Sequence, residues 1–430
     1  MTRALGTVAC FLAVLGFMAL AAGPPNELFD YLERTQGQAS WEVGTPRPFG
    51  SGEILSIRLR SQTWRGIPWK HWLLLCTPAK LLVEDVLVLF ISGDASPGDA
   101  FLGLSLAARA RLRVAMLSDV PVQPLFEGLR EDALIAYTFE RYLEEGDPDW
   151  PLLFPMTRAA LAAMEALEEV ARGLWGIELR GFLVAGASKR GWTTYLTAAA
   201  APARVLGMAP MVFDILDMPV QIAHQREFWG ELSPMIRDYS QRGLTEAFER
   251  TPRGARLAWL VDPYSYRYAY TMPKLIVLGS NDPYWPVDAL NFYWHGLPDP
   301  KAALVVPNSG HGLDDRTRVL DSLGAFCRLV AGGEPLPRLE SSFVPGEAGL
   351  RIHLQADRPP AETRLWTAHS QNRNFRDVRW ESNPLPPAGA GWEVSLPRSE
   401  SGYIACFAEL VFQWAGPPLH LTTPVRVLGP

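Results

Sequence analysis

The string Gly186-Ala187-Ser188-Lys189-Arg190-Gly191 follows an apolar run, Gly181 to Ala185, and runs into a helix-compatible stretch, Trp192 to Ala201. A serine at the apex of a small-residue turn between strand and helix is a nucleophile elbow: the turn exposes the hydroxyl, and small neighbours let the two elements approach. The spacing is G-x-S-x-x-G, not the commoner G-x-S-x-G, so the case rests on the strand before and the helix after. A serine hydroxyl is a poor nucleophile at its ordinary pKa. It needs an adjacent base, and the base needs an acceptor that fixes its tautomer. Enzymes built on this turn place the partners in the order serine, acid, histidine. Asp282, in Gly279-Ser280-Asn281-Asp282-Pro283, and His311, in Pro307-Asn308-Ser309-Gly310-His311-Gly312, keep that order, each just beyond an apolar run. Plainer readings compete: Ser188 could cap the following helix, Asp282 could be a turn residue before Pro283, and His311 a structural loop histidine. Asp262, and more weakly Asp288, rival Asp282; His224 and His295 rival His311.

Acyl transfer through such a serine passes a tetrahedral oxyanion, which needs amide donors aimed at it. The expected pair is the backbone N–H of Lys189 and one from the loop after Val86 to Ile91, near Gly93 and Asp94. The side chains of Lys189 and Arg190 invite two readings. One of them holds the oxyanion or an acidic group of the substrate, or Arg190 is salt-bridged to a buried carboxylate beneath the site. The chemistry calls for no metal and no organic cofactor.

The elements needed to position these groups are legible. Glu53 to Arg60 and His71 to Cys76 read as early antiparallel strands. Val86 to Ile91, Leu112 to Leu117, Gly181 to Ala185, Val205 to Val212, Lys274 to Leu278 and Ala303 to Val306 are short apolar runs, as strands of a parallel sheet covered on both faces must be. Helices are predicted over Glu131 to Glu145 and Met156 to Leu174, the latter apolar every three or four residues. Ligands of open α/β sheets bind at the carboxyl ends of the strands, where Ser188, Asp282 and His311 all fall. Phe213 to Met272, rich in aromatic residues, would overhang that edge as a cap. Gly332 to Pro337 reads as a linker. Beyond it the periodicity becomes two, over Arg351 to Gln355, Arg364 to Ala368, Trp392 to Leu396, Ile404 to Phe412 and Leu419 to Val427, which predicts a small β-sandwich of residues 338–430 after a catalytic domain of 23–331.

The first residues, with Arg3, the apolar stretch Ala4 to Leu20 and the small-residue pattern Ala19-Leu20-Ala21, read as an export signal over 1–22. Export to the periplasm or the exterior is expected, with no further span once the signal is removed; an uncleaved anchor is the rival reading. Of the four cysteines, Cys10 lies in the signal, and Cys76, Cys327 and Cys406 are too far apart for a CxxC motif, so buried free thiols are expected. The net charge of -6 and the absence of a basic run argue against nucleic acid and anionic membranes as partners. Nothing in the chain indicates its oligomeric state.

Ser61-Gln62-Thr63-Trp64, Trp69-Lys70-His71, Trp150-Pro151 with Pro155-Met156, Gly186 to Thr194, Val261-Asp262-Pro263-Tyr264, Pro307-Asn308 before His311, and Asn374 to Trp380 together resemble the PhoPQ-activated pathogenicity-related family, from about Asn26 into the C-terminal region. The resemblance implies an α/β-hydrolase fold, with the family's elbow at Ser188, Lys189 and Arg190 and its loops at Asp282 and His311. The family is named for its regulation and not for a reaction, so it implies little about substrate. The elbow is also similar to that of glucuronoyl esterases, in which a cationic residue follows the serine, and this favours ester over peptide cleavage. The expected activity is a serine carboxylic-ester hydrolase acting on a small-molecule or polymer-linked ester. A peptidase or amidase of the same fold, and a non-catalytic envelope-binding protein, are the alternatives.

Overall fold

The computed structural model describes residues 23–346, 349–389, 391–399 and 401–430; the expected export signal and Cys10 lie outside the described residues. Helix α1 (Glu27–Arg34) leads into strands β1 (Ser40–Val43), β2 (Arg47–Phe49), β3 (Gly52–Trp64) and β4 (Ile67–Thr77). The α/β part follows as β5 (Val86–Ile91), α2 (Gly98–Ala110), β6 (Arg113–Leu117), α3 (Glu131–Glu145), α4 (Leu153–Val170), β7 (Gly181–Ala187), α5 (Lys189–Ala200) and β8 (Val205–Met211). An insertion carries α6 (Met218–Trp229), α7 (Leu244–Arg250) and α8 (Pro252–Val261). Then come β9 (Lys274–Gly279), β10 (Lys301–Val306) and α9 (Arg316–Gly332).

Strands pair in the order β1-β3-β4-β6-β5-β7-β8-β9-β10. β3, β4 and β6 are antiparallel neighbours, whereas β6, β5, β7, β8, β9 and β10 run parallel. This is the α/β-hydrolase fold. The continuous apolar runs follow from it, because each parallel strand is covered twice. In β5, Leu87, Leu89 and Ile91 join the core under α4 and α5, while Val86, Val88 and Phe90 join the core under α2 and α9. The chain reverses its direction of travel across the sheet at β5, which has β6 on one side and β7 on the other. The crevice where a ligand is expected lies at such a switch point.

Several boundaries differ from the sequence reading for local reasons. α4 begins before Met156 because Pro155 sits in its first turn, where its missing N–H costs nothing. It ends at Val170, and Ala171–Trp175 continues as a π-turn closed by Gly176 at φ 65°. α5 begins at Lys189, directly after the serine.

The C-terminal region contains β11 (Leu339–Gly346), β12 (Gly349–Ala356), β13 (Glu362–Ser370), β14 (Glu381–Pro384), β15 (Trp392–Pro397), β16 (Tyr403–Phe412), β17 (Leu419–Thr422) and β18 (Arg426–Leu428). Strands β11, β12 and β15 form a separate three-stranded antiparallel sheet. Leu350, Ile352 and Leu354 of β12 face Leu365, Cys406 and Ala408 of β13 and β16 across a common core. The second layer is not free-standing. β17, β16, β13 and β14 prolong the main sheet beyond β10, with Ala303 opposite Thr422 and the Val305 amide bonded to Thr422 Oγ1 at 2.9 Å. An uncovered β10 would present a row of unpaired backbone groups, and β17 removes part of that edge. Cys76, Cys327 and Cys406 are free and buried, and burial pushes each thiol up to about 12.

Candidate active site

Ser188 stands between β7 and α5 at φ 58° and ψ −124°, a region that side-chain-bearing residues enter only when their surroundings hold them there. The Met211 carbonyl fixes its amide at 2.8 Å. The long glycine spacing has a steric reason. A Cβ on Gly186 would lie 2.6 Å from the Arg190 carbonyl, and one on Gly191 would lie 2.8 Å from the Met211 carbonyl, so the second glycine packs the first turn of α5 against β8.

β9 and β10 deliver the other two groups. His311 Nε2 lies 2.9 Å from Ser188 Oγ, and His311 Nδ1 lies 2.8 Å from Asp282 Oδ2. The tautomer satisfying both contacts donates from Nδ1 to the carboxylate and accepts the hydroxyl proton at Nε2. Asp282 Oδ1 accepts the Tyr284 amide at 2.9 Å, and the Tyr284 ring stacks on the imidazole with centroids 4.2 Å apart. The Asp282 side chain is 6% exposed and that of His311 is 23% exposed, so the carboxylate is sealed while the imidazole faces the solvent side.

The rival residues are placed elsewhere. Asp262 is buried, and its carboxylate accepts the amides of Asp217, Met218 and Tyr264, tying the start of α6 to the end of α8. Burial, with the nearby Asp217 charge, pushes its carboxyl to about 7. Asp288 pairs with His224 Nε2 at 2.8 Å, with the His224 ring packed on Phe292. His295 is exposed.

The loop after β5 is held from behind. Arg190 Nε donates to the Val120 carbonyl at 2.5 Å, and its two terminal nitrogens reach the two Glu131 oxygens at 2.7 Å each. A Cβ at Gly93 would lie 2.8 Å from the Arg190 guanidinium, so a side chain there would push the guanidinium from its partners. Asp94 points to Arg130 and Gln123. Burial raises the Glu131 carboxyl, but the Arg190 hydrogen bonds and charge, with Gln123 and Lys189, outweigh it and leave it at about 2. Lys189 Nζ lies 2.8 Å from Asp132 Oδ2 and 3.5 Å from Glu131 Oε2. Both cations of the elbow are therefore engaged by carboxylates in the first turn of α3.

Four contributions escaped the sequence reading. Glu131 and Asp132 are one; a double acid opening a helix was visible, but not its partners. Tyr284, two residues past Asp282, is the second. Asp214, fully buried beyond β8, is the third: Tyr293 donates to it at 2.7 Å, yet burial prevails over that bond, the charges of Asp282 and Asp288 add to it, and the carboxyl stands at about 8. The fourth is a link to the C-terminal region. Asn281 Nδ2 donates to the carbonyls of Phe375, Arg376 and Val378 at 3.0, 3.2 and 2.8 Å, and Asn308 exchanges two hydrogen bonds with the backbone of Trp380.

Among solved structures, an acetyl xylan esterase 1 from a Thermoanaerobacterium species overlays with a TM-score of 0.47 at 15% identity, covering 70% of this chain and 94% of that one. An S-formylglutathione hydrolase from Agrobacterium tumefaciens gives 0.45 at 13% identity, covering 68% and 99%. Autocrine proliferation repressor protein A of Dictyostelium discoideum is 28% identical over 429 residues, covering 90% of this chain and 86% of that protein. Residues 28–379 match the PhoPQ-activated pathogenicity-related protein family, and the chain belongs to that family.

Proposed function

We propose that this protein is an exported serine hydrolase that cleaves carboxylic esters through an acyl-enzyme. The observation that carries the reading is the unbroken contact from Asp282 through His311 to Ser188, at 2.8 and 2.9 Å, with the serine in the elbow conformation. Ser188 Oγ attacks the ester carbonyl as His311 Nε2 takes its proton, and Asp282 stabilises the imidazolium. The oxyanion is received by the Lys189 N–H, which as the first amide of α5 has no acceptor within the helix, and by the N–H of Gly93. Collapse returns the proton from His311 to the departing alkoxide. Water then repeats the sequence on the acyl-serine and releases the acid. Arg190 is the positioning residue of this scheme, holding the Gly93 loop in place. Export is supported by the apolar stretch Ala4 to Leu20, and among the described residues no helix is long and apolar enough to cross a membrane.

A fluorophosphonate probe is expected to label the wild-type protein at Ser188 and to leave Ser188→Ala unlabelled. Turnover of a short acyl ester should fall by about 10⁶ in Ser188→Ala and by about 10⁴ in Asp282→Ala. Aminoacyl anilides turned over faster than acyl esters would make the protein a peptidase. A folded sample inert to probe and to every ester would point instead to a binding protein.

A further inference from the structure

A narrow cavity of about 50 Å³ opens at Ser188 and Lys189 and runs beneath the insertion. Its wall is built from Trp192 of α5, Phe213 just beyond β8, Met218 and Ile222 on one face of α6, and Phe248 of α7. We infer that this cavity is the acyl pocket and that it selects an apolar acyl group. The inference rests on the hydrolase reading above and adds its substrate class.

Two observations carry it. The first is how the polar atoms of the wall are used. Asp132 is bonded by Lys189 at 2.8 Å, by the Tyr239 hydroxyl at 2.9 Å and by the Tyr284 hydroxyl at 3.4 Å, and Thr245 donates to Glu246 at 2.8 Å. Among the described residues the indole N–H of Trp285 is the wall donor left without a partner. A sugar hydroxyl or a charged group entering this space would lose its water and, the Trp285 N–H apart, meet polar atoms already committed to one another, whereas a hydrocarbon would meet faces suited to it. The second observation decides which half of the ester enters. The leaving-group oxygen must reach His311 Nε2 to be protonated, and His311 is the more exposed partner of the relay and does not line the cavity. The part that lies in the cavity is therefore the part that stays on Ser188, and the alcohol departs on the solvent side.

The test is a series of p-nitrophenyl esters from acetate to octanoate, with thermal melting as the check on folding. Each methylene buried should raise kcat/KM roughly fourfold until the cavity is full, so hexanoate should exceed acetate by at least about tenfold. Filling the cavity with Ile222→Trp, or with Met218→Trp if the first variant does not fold, should lower the hexanoate-to-acetate ratio by about tenfold or more. A series that peaks at acetate would remove the pocket assignment and leave the hydrolase reading intact. A rising series unaltered by either tryptophan would place the acyl group elsewhere. A folded protein that turns over no ester and takes no fluorophosphonate label would remove the hydrolase reading, and the pocket with it.

Discussion

Arg190 follows Ser188 by two residues, and its guanidinium binds Glu131 and the Val120 carbonyl and fills the space that a Gly93 side chain would need. If that loop supplies an oxyanion donor, Arg190→Met should lower kcat by about 10² to 10³, the loss typical of one such donor, with KM little changed. Arg190→Lys should not restore it, because an ammonium lacks the fork that grips both carboxylate oxygens. A merely structural arginine would cost stability and leave kcat in place. Asp214 offers a different test. Its folded-state carboxyl, at about 8, lies above the ordinary 3.8, so the native state holds a proton that the unfolded chain has released between those values. Its contribution to stability is complete below about pH 4 and is lost as the pH rises through 8. Asp214→Asn keeps an acceptor for Tyr293 without the titration. The melting temperature of the wild type relative to the variant should therefore fall steadily from about pH 4 to about pH 8 and then level off. A constant difference across that range, read by calorimetry, would show that Asp214 does not titrate there.

At the level of elements, what could be read from the sequence was what carries a strong local signature. The six parallel strands were visible as short apolar runs because each is covered on two faces, and the elbow was visible because its strand and helix abut one serine. α2 was not anticipated: Ser96-Pro97-Gly98 reads as turn, and the helix mixes its small apolar residues around its circumference. β1 and β2 were missed for the opposite reason, being short, largely exposed strands at the margin of the sheet whose residues alternate with no clear pattern. The order of Ser188, Asp282 and His311 was legible because each follows a strand. Their partners were not, since the pairing of Arg190 with Glu131 depends on the path of residues 118–130, which carries no periodicity. The insertion was expected from its aromatic content, whereas the role of Asp262 in anchoring α6 was not, because an aspartate before proline has the same sequence signature in a turn, a cap or a catalytic loop.

For the whole molecule, the C-terminal strands are joined to the α/β half through hydrogen bonds as well as through the sheet. Asn281 stands next to Asp282 and binds three carbonyls of residues 375–378. Replacing it with alanine leaves those carbonyls without this donor, at a cost of roughly 1–3 kcal/mol. It also frees the Asp282 loop, and displacements of about 1 Å in such geometry can cost about 10²-fold in rate. Asn281→Ala should therefore lose both urea resistance and kcat; wild-type turnover in a destabilised variant would confine the link to stability. The direction of biosynthesis gives this arrangement a further meaning. Residues 188, 282 and 311 leave the ribosome well before the backbone of 375–380 that braces two of their loops, and before Thr422, which covers the edge of β10. A partly made polypeptide thus lacks the hydrogen bonds that brace the loops of Asp282 and His311. Those braces, and the cover on β10, arrive last of all.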